Sequence, residues 1–236
     1  MCDSATMRFF KDRWEVIDLD LHWIPRLDVY TNKTRTQMEQ EHIFAAFLES
    51  KSLVLEEALK CYTDALFLDA DILVTAPLVV CPSARLGVSP AYIRDSYVLK
   101  NGYFNAGMLW ANDKAVPGLW REYANRSRYF EQACIEDLVL SFPGQVFIWG
   151  EEVNLQGWRC LVGSLSIEDI ANYMIPEPEQ ATITIRGRPL VCLHTHFGAE
   201  YMRVPNTLFK KKKLQEANMV DALRIIQQME DGSWAK

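Results

Sequence analysis

Asp69 and Asp71 stand one residue apart at the end of a short uncharged run, Ala65–Leu68. An apolar run of this length, bounded by polar residues, reads as a strand buried on both faces. Side chains two apart in an extended segment share a side, which aims both carboxylates at one point beyond the strand. In open α/β sheets ligands bind outside the carboxyl ends of strands. Two neighbouring carboxylates repel unless a cation lies between them, and hard oxygen ligands suit Mg²⁺ or Mn²⁺. The chemistry expected here is a metal-diphosphate site. The plain alternative is a pair of turn-capping aspartates, since Asp is common where strands end.

Three further patches carry usable groups. Gly102-Tyr-Phe-Asn-Ala-Gly107 leads into an apolar stretch. Asn105 offers a donor and an acceptor for sugar hydroxyls, and Gly107 allows close backbone approach. Glu136 and Asp137, followed at a distance by Glu151, Glu152 and Asn154, are carboxylates able to orient an acceptor hydroxyl or take its proton. They read equally well as the exposed side of a short helix. His194 and His196 follow the apolar run Leu190–Leu193, and a neutral imidazole there can complete a metal shell begun by the aspartates.

The elements that must position these groups alternate in type. Residues 14–21 alternate as a strand does. Thr36 to Glu39 reads as a capping box, and Ile43, Phe44, Phe47 and Leu48 follow at helical spacing. Ser52 can cap a second helix that leads into the Asp69 strand. Strands are expected at Leu86–Ser89, Ala106–Trp110 and Gln145–Trp149, with a polar aromatic loop from Tyr92 to Asn105. Helices are expected from Asn112-Asp113 toward Gln132, with Pro117 in the first turn, then over Cys134–Ser141 and from Ser166. Thr182–Ile185 and Leu190–Leu193 flank a tight connection at 186–189, and a last helix is expected from about Asn206 to Glu230. Helix followed by buried strand is the α/β rhythm.

Of the 236 residues, 49% are hydrophobic and 24% charged, which suits one folded domain over 1–236 and excludes a disordered chain. A net charge of −6 argues against a nucleic-acid binder. No apolar stretch approaches the roughly 20 residues of a membrane helix, and residues 1–16 lack the apolar core of a secretory signal. The six cysteines form no C-x-x-C pair, so reduced thiols in a cytoplasmic protein are expected.

In order along the chain, these patches resemble one family. Phe67-Leu-Asp-Ala-Asp-Ile-Leu-Val74 resembles the DXD motif of GT-A fold glycosyltransferases, most nearly the group of glycogenin and the bacterial lipooligosaccharide galactosyltransferases. Phe104-Asn-Ala-Gly107 is similar to the Phe-Asn-(Ala/Ser)-Gly segment that follows in that group. The later strand-borne histidine has two candidates, His194 and His196. The resemblance covers roughly residues 40–200. It implies an α/β fold of the Rossmann-like GT-A type, a mixed sheet flanked by helices, here with a shortened N-terminal part. It also implies transfer of a sugar from a nucleotide-diphosphate donor, most readily a UDP-sugar, to a glycan, protein or lipid-linked acceptor.

The implied site holds Mn²⁺ or Mg²⁺ on Asp69, Asp71 and the late histidine. Substrate is bound through Asn105, Gly107, Lys51 and Arg203, and Glu136-Asp137 approximates the family's acidic acceptor motif. The family's Lys-Pro-Trp after the histidine is absent, which leaves Arg203 or Lys210 for the phosphates. Two other readings compete. A phosphatase of the haloacid-dehalogenase type also places Asp-x-Asp after an apolar strand, but expects Thr or Val where this chain has Leu73. A non-catalytic, glycosyltransferase-like binding subunit is the other.

Overall fold

The computed structural model describes residues 29–30, 33–196 and 211–231. The strand expected at 14–21 lies outside them, as do Arg203 and Lys210. Two helices open the described part, α1 (Arg35–Gln40) and α2 (Phe44–Cys61). The capping box of α1 is made by Thr34 and Gln37, two residues earlier than the sequence pattern suggested. Ser52 does not start a helix. It sits inside the 18-residue α2, its hydroxyl donating to the Glu49 carbonyl at 2.8 Å, so the side chain needs no helix end to satisfy it.

A four-stranded sheet follows, in spatial order β1 (Ala65–Leu68), β4 (Phe104–Ala111), β3 (Leu86–Pro90), β5 (Val146–Ile148). All pairs are antiparallel except β3 with β5, which is parallel, so the sheet is mixed as expected. β1 is an edge strand with every residue half-buried, whereas β3 and β4 are buried throughout. Ala65 and Phe67 pack against one core and Leu66 and Leu68 against another, so the apolar run of β1 is partly covered on both faces, with α2 over one of them.

β4 carries a bulge. Val88 pairs with Leu109, but the next residue, Ser89, pairs with Asn105, which leaves Ala106, Gly107 and Met108 outside the β3 ladder. The odd insertion switches face parity along β4. Phe104, Ala106, Leu109 and Ala111 join one core with Leu55, Leu86 and Trp120, while Met108 and Trp110 point into another with Trp149 and Cys192. On its other side β4 keeps β1, with Leu68 opposite Met108, and the Gly107 carbonyl accepts from Asp69 N–H at 2.8 Å.

The second sheet is β2 (Ile72–Val74), β10 (Cys192–His194) and β6 (Leu155–Gln156) in that order. β10 runs antiparallel to β2 and parallel to β6. A third sheet, β7 (Met174–Glu177), β8 (Thr182–Ile185) and β9 (Arg188–Pro189), is a meander whose last turn uses Arg186-Gly187, both at positive φ. The connection at 186–189 thus closes a hairpin of β8 with β9, and β10 belongs to a different sheet.

The remaining helices are short. They are α3 (Asp95–Asn101), α4 (Ala115–Ala124), α5 (Phe130–Ala133), α6 (Ile135–Leu140), α7 (Trp158–Val162), α8 (Ile167–Tyr173), α9 (Lys212–Glu216) and α10 (Val220–Asp231). α3 occupies what the sequence suggested was loop; it buries none of its side chains, so no apolar periodicity marks it. The helix expected to run toward Gln132 stops at Ala124, and the C-terminal helix is broken at Asn218, which takes φ 60°. Ser166 does cap α8, in a box with Asp169. No helix among the described residues is long and apolar enough to cross a membrane. The third core, built on Ile183, Ile185, Met174, Leu193 and Leu214, ties the meander and α9–α10 to the second sheet.

Candidate active site

Asp69 and Asp71 lie where the chain leaves one sheet for the next. Between β1 and β2 is a tight turn closed by Ile72 N–H donating to the Asp69 carbonyl at 3.1 Å. The turn, rather than strand alternation, brings the carboxylates to one side. β10 arrives beside β2 with His194 opposite Ile72. Thr195 locks that junction, its N–H and hydroxyl donating to the Asp71 carbonyl at 3.0 and 2.7 Å.

His194 Nε2 then lies 3.0 Å from Asp71 Oδ1 and 3.9 Å from Asp69 Oδ2. His196 Nδ1 lies 3.8 Å from Asp71 Oδ2, and its ring stacks on that of His194 with centroids 3.8 Å apart. One donor atom from each of Asp71, His194 and His196 falls within 4.8 Å of the others. His194 is buried, and His196 is held at φ 50°, a conformation that costs energy in a non-glycine residue and gathers at functional sites. Burial pushes the Asp71 carboxyl upward, but the bond to His194 and the charge of His194 and His196 outweigh it. The group is lowered to about 2.

Gly107, carried by the β4 bulge, forms the floor of this cluster. A Cβ there would stand 2.5 Å from His194 Cε1, 2.7 Å from Asp69 Oδ2 and 2.9 Å from Asn105 Oδ1. Only glycine permits that approach. Asn105 sits beneath it, nearly fully buried. Its Oδ1 accepts from Gly107 N–H and from Asn154 Nδ2, both at 3.0 Å, and its Nδ2 donates to Gln156 Oε1 at 3.1 Å. Gln156 in turn donates to the Ala91 carbonyl at 3.1 Å. With its acceptor so engaged, Asn105 holds the shape of the floor.

The second side of the site is ionic. Lys51, from α2, places Nζ 3.0 Å from Asp69 Oδ1 and 3.0 Å from Glu131 Oε1. Burial pulls this ammonium down, yet the two carboxylates more than offset that and hold it above the ordinary lysine range. Glu131 is buried, on α5, and its carbonyl accepts from Trp120 Nε1 at 2.7 Å. Phe130, just before it, takes φ 44°. Gln132 donates to the Asn101 carbonyl at 3.0 Å, anchoring the same turn to α3.

Lys51, Asn105 and Gly107 thus join Asp69, Asp71, His194 and His196 in one cluster. Glu136 and Asp137 do not. Glu136 Oε2 meets Arg128 Nη2 at 2.6 Å and Oε1 accepts from Tyr103 N–H at 2.8 Å, so this carboxylate fastens the start of β4 to α6. The acid that does reach the cluster, Glu131, escapes sequence reading because an acidic residue near a helix start normally marks solvent. The available signal is its spacing: Glu131, Ile135 and Leu138 share the buried side of α5–α6, while Glu136 and Asp137 fall off it. Asn154 and Gln156 are likewise found in the buried floor rather than at a rim. Of the thiols, Cys192 on β10 is buried and pushed up to about 12 by that burial, which favours its protonated form.

No protein-family model and no curated protein sequence matches the chain. Among solved structures it is similar to a glycosyltransferase involved in the glycosylation of the major capsid of PBCV-1. That match has 13% identity, a TM-score of 0.44, and covers 67% of this chain and 74% of that one. It is also similar to the galactosyltransferase LgtC in complex with donor and acceptor sugar analogs, at 19% identity and a TM-score of 0.42. The chain spans 65% of that enzyme, and 73% of this chain is covered.

Proposed function

We propose that this chain is a metal-dependent glycosyltransferase moving a sugar from a nucleotide-diphosphate donor to an acceptor hydroxyl. The observation that carries the reading is the convergence of two carboxylates and two imidazoles from two chain segments over the glycine floor of the β4 bulge. The donor set is mixed oxygen and imidazole nitrogen, which suits Mn²⁺ and is compatible with Mg²⁺. Asp69, Asp71, His194 and His196 would hold the cation. Once bound, it supplies positive charge against the diphosphate that leaves. The order Asp69-Ala-Asp71, Phe104-Asn-Ala-Gly107, His194 along the chain supports the same reading.

The rest is done by protein groups. Lys51 stays charged at physiological pH and lies within 3.0 Å of two carboxylates, Asp69 and Glu131. Glu131 holds the Lys51 ammonium from the buried side and so fixes it against Asp69. Gly107 and Asn105 shape the floor, where the absence of a Cβ lets His194 and Asp69 close over the backbone. Arg203, from the sequence reading, remains a candidate for the donor phosphates.

The test is turnover of a panel of nucleotide sugars with Mn²⁺, followed as donor hydrolysis or transfer. Release of nucleoside diphosphate that stops in excess chelator is expected. A full rate in excess chelator contradicts the metal-dependent reading, and donor binding with no turnover favours a non-catalytic binding subunit.

A further inference from the structure

We propose that the groove walled by Tyr92, Tyr103, Glu151, Arg159, Tyr173 and Arg186 is a binding site for an oxyanion, a phosphate or carboxylate group, separate from the metal cluster. The groove encloses about 370 Å³, the size that takes a small ligand rather than a single water. Its walls include none of Asp69, Asp71, His194 and His196. The site does not depend on sugar transfer.

The groove carries more positive charge than its one carboxylate answers. Arg159 Nη1 lies 3.4 Å from Glu151 Oε2, and Arg186 Nε lies 2.7 Å from Glu151 Oε1, so two guanidinium groups share a single acid. Arg188 and Glu152 face each other at 3.4 Å in the adjoining hollow and leave that excess unchanged. Its position makes the excess costly. The Arg159 side chain is only 3% exposed, and a buried charge is unfavourable unless a counter-charge meets it. Burial accordingly pulls the Arg159 guanidinium below its ordinary range.

Two buried donors in the same walls are unanswered as well. Tyr173 stands beside Arg159 without closing a hydrogen bond to it, and neither Arg159 Nε nor Tyr173 Oη has a partner among the described residues. The other guanidinium nitrogens are engaged: Nη1 faces Glu151, and Nη2 donates at 3.2 Å to the carbonyls of Glu151 and Asn154. Buried polar atoms are nearly always bonded, so two such donors in one groove point to a ligand that accepts. An ionised oxyanion has only acceptors and brings the missing negative charge. Arg186 is 64% exposed and lies over the Tyr173 ring at 5.5 Å, so it is the guanidinium that an incoming anion meets first. On the far side the Tyr92 ring lies 3.9 Å from the Arg159 guanidinium, with Tyr92 held at φ 53°. Strain of this kind in a bulky residue clusters at ligand clamps.

The probes are inorganic phosphate and acetate, each titrated calorimetrically into the full chain without metal, so that the cluster cannot hold the anion. Binding of at least one is expected, and the tighter of the two identifies the group the site takes. Arg186→Gln, which removes an exposed guanidinium and leaves the core alone, is expected to weaken that binding about tenfold. Glu151→Gln is expected to act the other way and tighten it about tenfold, because it removes the acid that competes for both guanidinium groups. A side chain that only supported the fold would not give these opposite signs. No binding of either anion, parental affinity in Arg186→Gln, or binding that Glu151→Gln leaves unchanged or weakens overturns the proposal. The transferase reading fails on a different measurement, the absence of nucleotide-sugar turnover, so the two are told apart.

Discussion

Lys51→Met is expected to cost about 3 kcal/mol of stability at neutral pH, because it leaves the buried Glu131 carboxylate without its counter-ion. Asp69 loses the same partner but is about a quarter exposed and recovers solvent. The two charges then face each other across the space Lys51 occupied. Adding Glu131→Gln to the variant removes the orphaned charge and is expected to restore most of the loss. Urea unfolding of the single and double variants at neutral pH reads this directly. A Lys51→Met deficit that the double variant does not recover would show that the Lys51 cluster is not what holds α2 to α5.

Gly107→Ala is expected to have the largest effect on function for the least change in composition. The added methyl meets His194, the Asp69 carboxylate and Asn105 at under 3 Å, and all three cannot retreat together because His194 and Asn105 are buried. Overpacking of this kind costs roughly 1–3 kcal/mol. The larger consequence is displacement of ligand side chains, expected to weaken Mn²⁺ binding at least about tenfold and to slow turnover by about a hundredfold. Circular dichroism should remain that of the parent, since the bulge is local. Wild-type turnover in Gly107→Ala would mean that the β4 bulge does not form the floor of the site.

Much of the frame is legible in the sequence. The apolar runs before Asp69, after Asn105 and before His194 become β1, β4 and β10, and each delivers its polar residues to one place. Periodicity fails where the physics is not periodic. α3 buries nothing, so no apolar face announces it. Ser52 looks like a cap, yet a hydroxyl can be satisfied by the preceding turn, and α2 runs on. The β4 bulge has no local signature beyond Gly107, because an insertion of three residues is defined only against the partner strand. That hidden offset sets the distance between Asn105 and Asp69.

Glu131 was obscured for a related reason: its value comes from Lys51, 80 residues earlier, and a pairing over that separation leaves no trace in either segment. Glu136 and Asp137, adjacent and acidic, look more like a catalytic pair but sit on the wrong side of the same helical segment.

The most direct test of the central claim is a titration of Mn²⁺ against the protein, following loss of the free-ion signal by electron paramagnetic resonance. A single tight Mn²⁺ per chain is expected, weakened strongly by Asp71→Asn, since Asp71 is the carboxylate shared by both imidazoles. Mn²⁺ left free by the parent chain, or bound with undiminished affinity by Asp71→Asn, would contradict it.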